Sequence, residues 1–150
     1  MTAISRSYSI LYDYWFDIRY RLDTCTFVPL EKLQIKSNNK NRDTMYQPSL
    51  IIILRKLFNK IQTMVPPDSV FLDFGCGKGR VLLIASEFGF KEVRGVEFSH
   101  DLCNIARNNL TTYKRRNGIC SKVFRIIESD VVDYCITDEN VFFSLILLMK

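Results

Sequence analysis

The apolar positions follow two rhythms, and the change between them divides the chain near residue 65. Before that point they recur every three or four residues. Tyr8, Leu11, Tyr12, Trp15, Ile18 and Leu22 form one stripe, with Asp13, Asp17, Arg19 and Arg21 on the other face. This spacing predicts an amphipathic helix within residues 1–24 whose aromatic stripe docks on the rest of the domain. Residues 36–49 are polar and rich in Asn, which reads as a loop. Gln47-Pro48 opens a second helix, with proline at or near its first position. Its apolar residues are Leu50, Ile51, Ile53, Leu54, Leu57, Phe58 and Ile61, interleaved with Arg55, Lys56 and Lys60. Pro66-Pro67 ends it, because neither proline can continue a helix.

From residue 70, short apolar runs alternate with helical ones. Strands are expected at Val70–Phe74, Glu92–Glu97 and Lys122–Ile127, and from Val141 onward. Helices are expected at Arg80–Phe88 and from an N-cap at Ser99 to about Arg116, where Asn117-Gly118 stops the helix. Strands separated by helices imply parallel pairing through right-handed crossovers. The predicted fold class is α/β, an open doubly wound parallel sheet. A helical leader (residues 1–65) would pack on the sheet-forming part (residues 66–150).

Composition narrows the class. A chain of 150 residues, 47% apolar, can bury a core of its own and is not a disordered tail. No apolar run approaches the ~18–20 residues of a membrane span, and no basic start leads into an apolar signal region. A cytoplasmic protein is therefore expected. Five cysteines (Cys25, Cys76, Cys103, Cys120 and Cys135) form no C-x-x-C pair, and His100 lies near only Cys103. No metal site is expected, and the thiols read as reduced. The net charge of +5 permits an acidic partner without requiring one. Lys114-Arg115-Arg116 reads as a solvated helix end and His100 as a helix-start surface residue.

The chemistry concentrates in Val70-Phe-Leu-Asp-Phe-Gly-Cys-Gly-Lys-Gly-Arg80. A strand runs into a glycine-rich turn that opens a helix. Gly75, Gly77 and Gly79 let the backbone approach a ligand, and the helix start offers free N–H groups to an anion. The dinucleotide fingerprint G-x-G-x-x-G/A would put Arg80 at its third glycine, where a long cation is wrong. The phosphate loop G-x-x-x-x-G-K-[S/T] does not occur. Lys78 and Arg80 either touch a carboxylate or line a solvated first helical turn. Cys76 reads as a small filler rather than a nucleophile. Glu97 ends the second strand, where a carboxylate can accept from both hydroxyls of a ribose. Asp130 follows the third strand at the same sheet edge and can accept from an exocyclic amine. The alternative is that it caps a short helix through Tyr134.

Together these pieces resemble the class I S-adenosylmethionine-dependent methyltransferases. They are Asp73-Phe-Gly-Cys-Gly-Lys-Gly-Arg80, Gly95-Val-Glu-Phe-Ser99 and Ser129-Asp-Val131. The resemblance implies that Asp73 and the Gly75–Gly79 backbone, with Cys76 and Gly77, surround the methionine part of S-adenosylmethionine. It implies that Glu97 takes the ribose, Phe98 flanks the adenine, and Asp130 with the Val131 backbone reads its edge. Phe16-Asp-Ile-Arg-Tyr-Arg-Leu-Asp-Thr24, Phe27-Val-Pro-Leu-Glu-Lys-Leu33 and Tyr46-Gln-Pro-Ser49 resemble the leader of a bacterial group with a Gly-Lys-Gly-Arg loop. The Tyr-x-Pro-Ser entry also resembles some protein-lysine methyltransferases.

That resemblance leads to expectations about function and about the end of the chain. The acceptor is unassigned, with protein or small molecule favoured over nucleic acid, and no catalytic base is named. The family has seven strands and this chain four, with Val141-Phe-Phe-Ser-Leu-Ile-Leu-Leu-Met-Lys150 where an Asn-Pro-aromatic turn is usual. One choice of codons for residues 144–150, read one base earlier, spells Phe-Asn-Pro-Phe-Asp-Glu. The expectation is a truncated methyltransferase with its last seven residues out of frame, against a natural closing strand. An exposed fourth strand would favour self-association. Two rival readings are a nucleotide-dependent oxidoreductase and a non-catalytic partner-binding module on the same fold.

Overall fold

The structure is a computed structural model and describes residues 3–26, 28, 48–117 and 123–144. The element order is α1 (Ala3–Tyr20), α2 (Ile51–Ile61), β1 (Val70–Phe74), α3 (Arg80–Ala85), β2 (Glu92–Glu97), α4 (His100–Asn117), β3 (Val123–Glu128) and β4 (Val141–Ser144). The four strands form one parallel sheet in the order β3-β2-β1-β4. The order reverses direction beside β1, which is the point where doubly wound sheets bind ligands. The expected strands and helices are all present. Boundaries shift by a residue or two, and the 80–88 helix tightens into a 3-10 turn at Ser86–Phe88. Pro48 lies three residues before Ile51, outside the helix, and Leu50 is the N-cap. The expected out-of-frame segment and the expected start of the third strand fall largely outside the described residues.

The core lies between the sheet and α2, α3 and α4. Leu54, Phe58, Phe71, Leu82, Ile84 and Val93 are buried together, with an aromatic cluster of Phe58, Phe71, Phe88 and Phe90 at one end. All six residues of α3 are buried. It is therefore a central helix, apolar except at its first position. Ion pairs hold the periphery. Arg55 of α2 grips both carboxylate oxygens of Glu87 at 3.0 and 2.7 Å. Arg94 gathers Glu92, Asp138 and Glu139 at 2.5–2.7 Å, which fixes the approach to β4.

Helix α1 reverses the expected orientation. Tyr8, Leu11, Trp15 and Ile18 of the aromatic stripe are 52–77% exposed, while Ser9, Asp13, Phe16 and Asp17 are buried. Only Tyr12 and Leu22 of the stripe pack against the core. The cause is polar. Asp17 accepts from the backbone N–H of Thr24 and of Cys25 and from the Thr24 hydroxyl at 2.6–2.7 Å. Asp13 accepts from the Ile51 N–H at 3.1 Å and from Arg80 at 2.6 Å. Two carboxylates one helical turn apart, each fully partnered, outweigh the burial of the more apolar face.

Candidate functional site

The sheet register sets the site. Asp73 lies opposite Gly95, Phe74 opposite Val96, and Glu97 opposite Glu128. The carboxyl ends of β1, β2 and β3 therefore stand side by side, and the three expected sequence pieces meet there. An apolar cleft of about 380 Å³, lined by Phe58, Ile61, Val65, Phe88 and Phe90, lies at the opposite edge. Its lining holds no charged group, so the chemistry belongs to the carboxyl edge.

The glycine turn is built from backbone bonds to its neighbour strand. The N–H groups of Gly75 and Cys76 both donate to the Val96 carbonyl at 2.9 and 3.0 Å, and Gly79 N–H donates to the Cys76 carbonyl at 2.8 Å. Gly77 and Gly79 have φ of 52° and 82°, a region costly for any residue with a Cβ. Gly79 also lets α4 approach, because a Cβ there would stand 3.2 Å from that of Ala106.

Glu97 does more than end a strand. It is buried, and its two oxygens accept from Gly77 N–H at 2.9 Å and Ser99 N–H at 3.0 Å. The carboxylate thus ties the glycine turn to the start of α4. Burial raises its pKa, while the N–H groups of Ser99, Gly77 and Phe98 lower it in part. A carboxylate has about four acceptor positions, so Glu97 keeps acceptor capacity for a ligand hydroxyl.

Asp73 is the uncompensated member. It is buried, and no donor among the described residues reaches its carboxylate. Desolvation first, and the Glu97 charge second, push its pKa well above the usual carboxylate range. A buried charge without a partner is costly, and a cationic or N–H-rich ligand removes the cost. Here the structure favours the cofactor that the sequence implies, whose methionine end carries an ammonium group.

Asp130 and Val131 complete the edge. Ser129 N–H donates to the Glu97 carbonyl at 3.0 Å, which brings Asp130 beside the end of β2. Asp130 accepts from Val132 N–H at 3.2 Å and starts a turn, so the alternative reading of it as the cap of a short helix through Tyr134 does not hold. Phe98 is half-buried between Glu97 and Ser99. Cys76 is a packing residue, since burial raises its thiol well above the ordinary value. Its sulfur fills the space over Gly95, where an added Cβ would stand 2.6 Å from Sγ. Gly95→Ala should therefore destabilise the fold by about 1–3 kcal/mol through overpacking at the glycine turn. Denaturant unfolding of the variant measures it. An unchanged midpoint would show that Cys76 yields freely.

The sequence reading left Lys78 and Arg80 open, and both are buried against carboxylates of the leader. Lys78 Nζ lies 2.8 Å from Asp23, and Arg80 lies 2.6 Å from Asp13. Arg80 also donates to the Thr24 hydroxyl, the Ser49 carbonyl and the Cys25 sulfur. Asn109 of α4 donates to the Lys78 and Asp23 carbonyls and accepts from Asp23 N–H. One signal in sequence pointed this way: acidic Asp13, Asp17 and Asp23 in the leader facing a Gly-Lys-Gly-Arg turn with no phosphate motif to use its cations. Among the described residues no group of His, Cys, Asp and Glu is placed to hold a metal ion. No described helix is long and apolar enough to cross a membrane.

Comparison with known proteins shows a family and a fold. A family model described as "Histone methylation protein DOT1" matches residues 27–141. A Dictyostelium discoideum histone-lysine N-methyltransferase, H3 lysine-79 specific, is 34% identical over 89 residues. The match covers 53% of this chain and 5% of that protein. Among solved structures, a Pyrococcus horikoshii protein described as a candidate RNA methyltransferase superposes with a TM-score of 0.50 at 23% identity. That alignment covers 71% of this chain and 51% of the other, and it bears on the fold alone. The Salinibacter ruber RNA methyltransferase in complex with S-adenosyl-L-homocysteine has a TM-score of 0.49 at 21% identity, covering 66% and 59%.

Proposed function

This chain belongs to the DOT1 family of histone methylation proteins, and from that premise we propose that it is the cofactor-binding part of an S-adenosylmethionine-dependent protein-lysine methyltransferase. The observation that carries the cofactor assignment is Asp73, a buried carboxylate with no donor among the described residues, at the foot of the glycine turn. When bound, S-adenosylmethionine supplies a methyl group already activated on a sulfonium.

The chain's own residues then bind, orient and exclude water. Asp73 holds the ammonium of the methionine end. The Gly75–Gly79 backbone, with Cys76 and Gly77, lies along that end. Glu97 turns its remaining acceptor capacity to the ribose hydroxyls. Phe98 flanks the adenine, while Asp130 and the Val131 backbone N–H meet its edge. The Glu97 bonds to Gly77 and Ser99 keep these groups in place before the ligand arrives.

The acceptor is proposed as a lysine ε-amine of a protein. The family description and the name of the Dictyostelium relative support that choice, as does the Tyr46-Gln-Pro-Ser49 entry within the matched residues. The amine must lose a proton so that its lone pair can attack the methyl carbon. The chain spans 5% of that relative's length. The test is incubation with S-adenosylmethionine labelled on the methyl group, in the presence of core histones and, separately, RNA. Label is expected in lysine of the protein fraction. Label in RNA alone would overturn the acceptor.

A further inference from the structure

Lys78 and Arg80 sit in the glycine turn, at the place where a cation would be expected to meet a ligand. Their side chains are 1% and 2% exposed and point away, to residues 13–26. Those residues precede the segment that the family model matches. The turn is therefore held from two sides. On the cofactor side, Glu97 accepts from Gly77 N–H at 2.9 Å. On the leader side, Asn109 donates to the Lys78 carbonyl at 3.0 Å and brackets Asp23 by its own N–H and carbonyl. Lys78 Nζ completes the bracket by donating to Asp23 Oδ1 and to Thr26 Oγ1 at 2.8 and 2.5 Å.

We propose that Lys78 and Arg80 are positioning residues: they clasp the leader segment Asp23–Thr26 to the glycine turn, so that the leader sets the cofactor affinity without touching the cofactor. The proposal rests on the cofactor reading above and adds a part that this chain contributes from outside the family segment. The physical ground is the shortness of the path. Asp23, the Lys78 side chain, the Lys78 and Gly77 backbone and Glu97 follow one another with a bond or a contact at each step. A displacement at Asp23 reaches the Gly77 N–H and the Glu97 carboxylate through groups that are buried and hydrogen-bonded. A shift of about an ångström is enough to break a hydrogen bond.

The experiment is titration of the full chain with S-adenosylhomocysteine by calorimetry, with melting followed in parallel. The variants are Asp23→Asn, Lys78→Met and the pair combined. Asp23 is suited to the test because its side chain is 48% exposed and it lies on the leader, outside the residues assigned to the cofactor. Asp23→Asn should weaken binding about tenfold, and the double variant should be no weaker than the worse single, because both break one link. Wild-type affinity in Asp23→Asn, whatever its melting temperature, would overturn the clasp and leave a merely structural ion pair. Additive losses in the double variant would overturn it as well. If Lys78→Met does not fold, Asp23→Asn alone decides. A wild-type chain that takes up no S-adenosylhomocysteine would instead overturn the cofactor reading, and the coupling with it.

Discussion

Arg80→Met should lower the stability of the chain by about 3–5 kcal/mol, the usual cost of removing one partner from a buried ion pair. For a chain of this size that is roughly 6–20 °C in melting temperature. The guanidinium and the Asp13 carboxylate are 2% and 5% exposed, and 2.6 Å separates them. Methionine fills much of the same volume, so the loss measures charge and hydrogen bonds rather than a cavity. Four groups lose the Arg80 donor together: Asp13, the Thr24 hydroxyl, the Ser49 carbonyl and the Cys25 sulfur. Three elements loosen with them, because Asp13 also holds the first N–H of α2.

The pH dependence of this variant has a definite sign. Burial already raises the Asp13 pKa above 3.8, and Arg80 is the strongest influence that lowers it. Without Arg80 it rises further. A carboxyl whose folded pKa exceeds its unfolded one favours the fold when protonated, and that contribution is lost as pH rises through the folded value. The deficit of Arg80→Met should therefore be smaller at pH 4 than at pH 7. Adding Asp13→Leu should restore only part of the loss, since the Ile51 N–H then lacks its acceptor. Denaturant midpoints at the two pH values check both statements. Equal deficits would show that Asp13 is not left as an uncompensated charge.

Asp73→Asn should move stability and binding in opposite directions. In the cofactor-free chain the carboxylate is buried beside Glu97, and its pKa is raised well above the ordinary value by desolvation and then by that charge. Neutralising it removes the desolvation cost at neutral pH. A gain of about 1 kcal/mol, or roughly 2–4 °C, is expected. The same change removes the carboxylate proposed to hold the methionine ammonium, and affinity for S-adenosylhomocysteine should fall at least about a hundredfold.

The wild type carries a proton signature of the same group. An ammonium beside Asp73 favours the ionised form, so binding releases a proton whenever the free carboxyl is partly protonated. Affinity should then rise with pH through that titration, and the variant should lose the dependence. Melting of the free chain and titration at several pH values test both halves. A variant less stable than wild type that still binds would contradict the role given to Asp73. Such a result would place the ligand elsewhere on the edge.

The sheet was legible in the sequence because its signals are local. Val70–Phe74 and Glu92–Glu97 are short apolar runs bounded by turns, and the glycines mark where backbone must turn. The meeting of Asp73, Glu97 and Asp130 at one sheet edge was legible for the same reason, since they sit at or just past strand ends that periodicity locates. The leader was misread where the signal is not local. Asp13 is buried because Arg80, 67 positions away, is there to meet it. Charged residues read as outward on a helical wheel, and no spacing rule reports a partner at that distance. The aromatic stripe of α1 was given to the core by the same rule. Hydrophobicity ranks faces by transfer energy and does not count fully satisfied carboxylates. The second role of Glu97, as a link between Gly77 and Ser99, also needed coordinates, because a carboxylate's bonds to backbone N–H groups leave no trace in composition.

Titration of the full chain with S-adenosylhomocysteine by calorimetry tests the central claim most directly. The account expects one site per chain, competition by S-adenosylmethionine, and binding reduced at least about tenfold in Glu97→Ala, which loses both the ribose acceptor and the bond to Gly77. No binding by a folded wild-type chain, or saturable binding of NAD in its place, would contradict it.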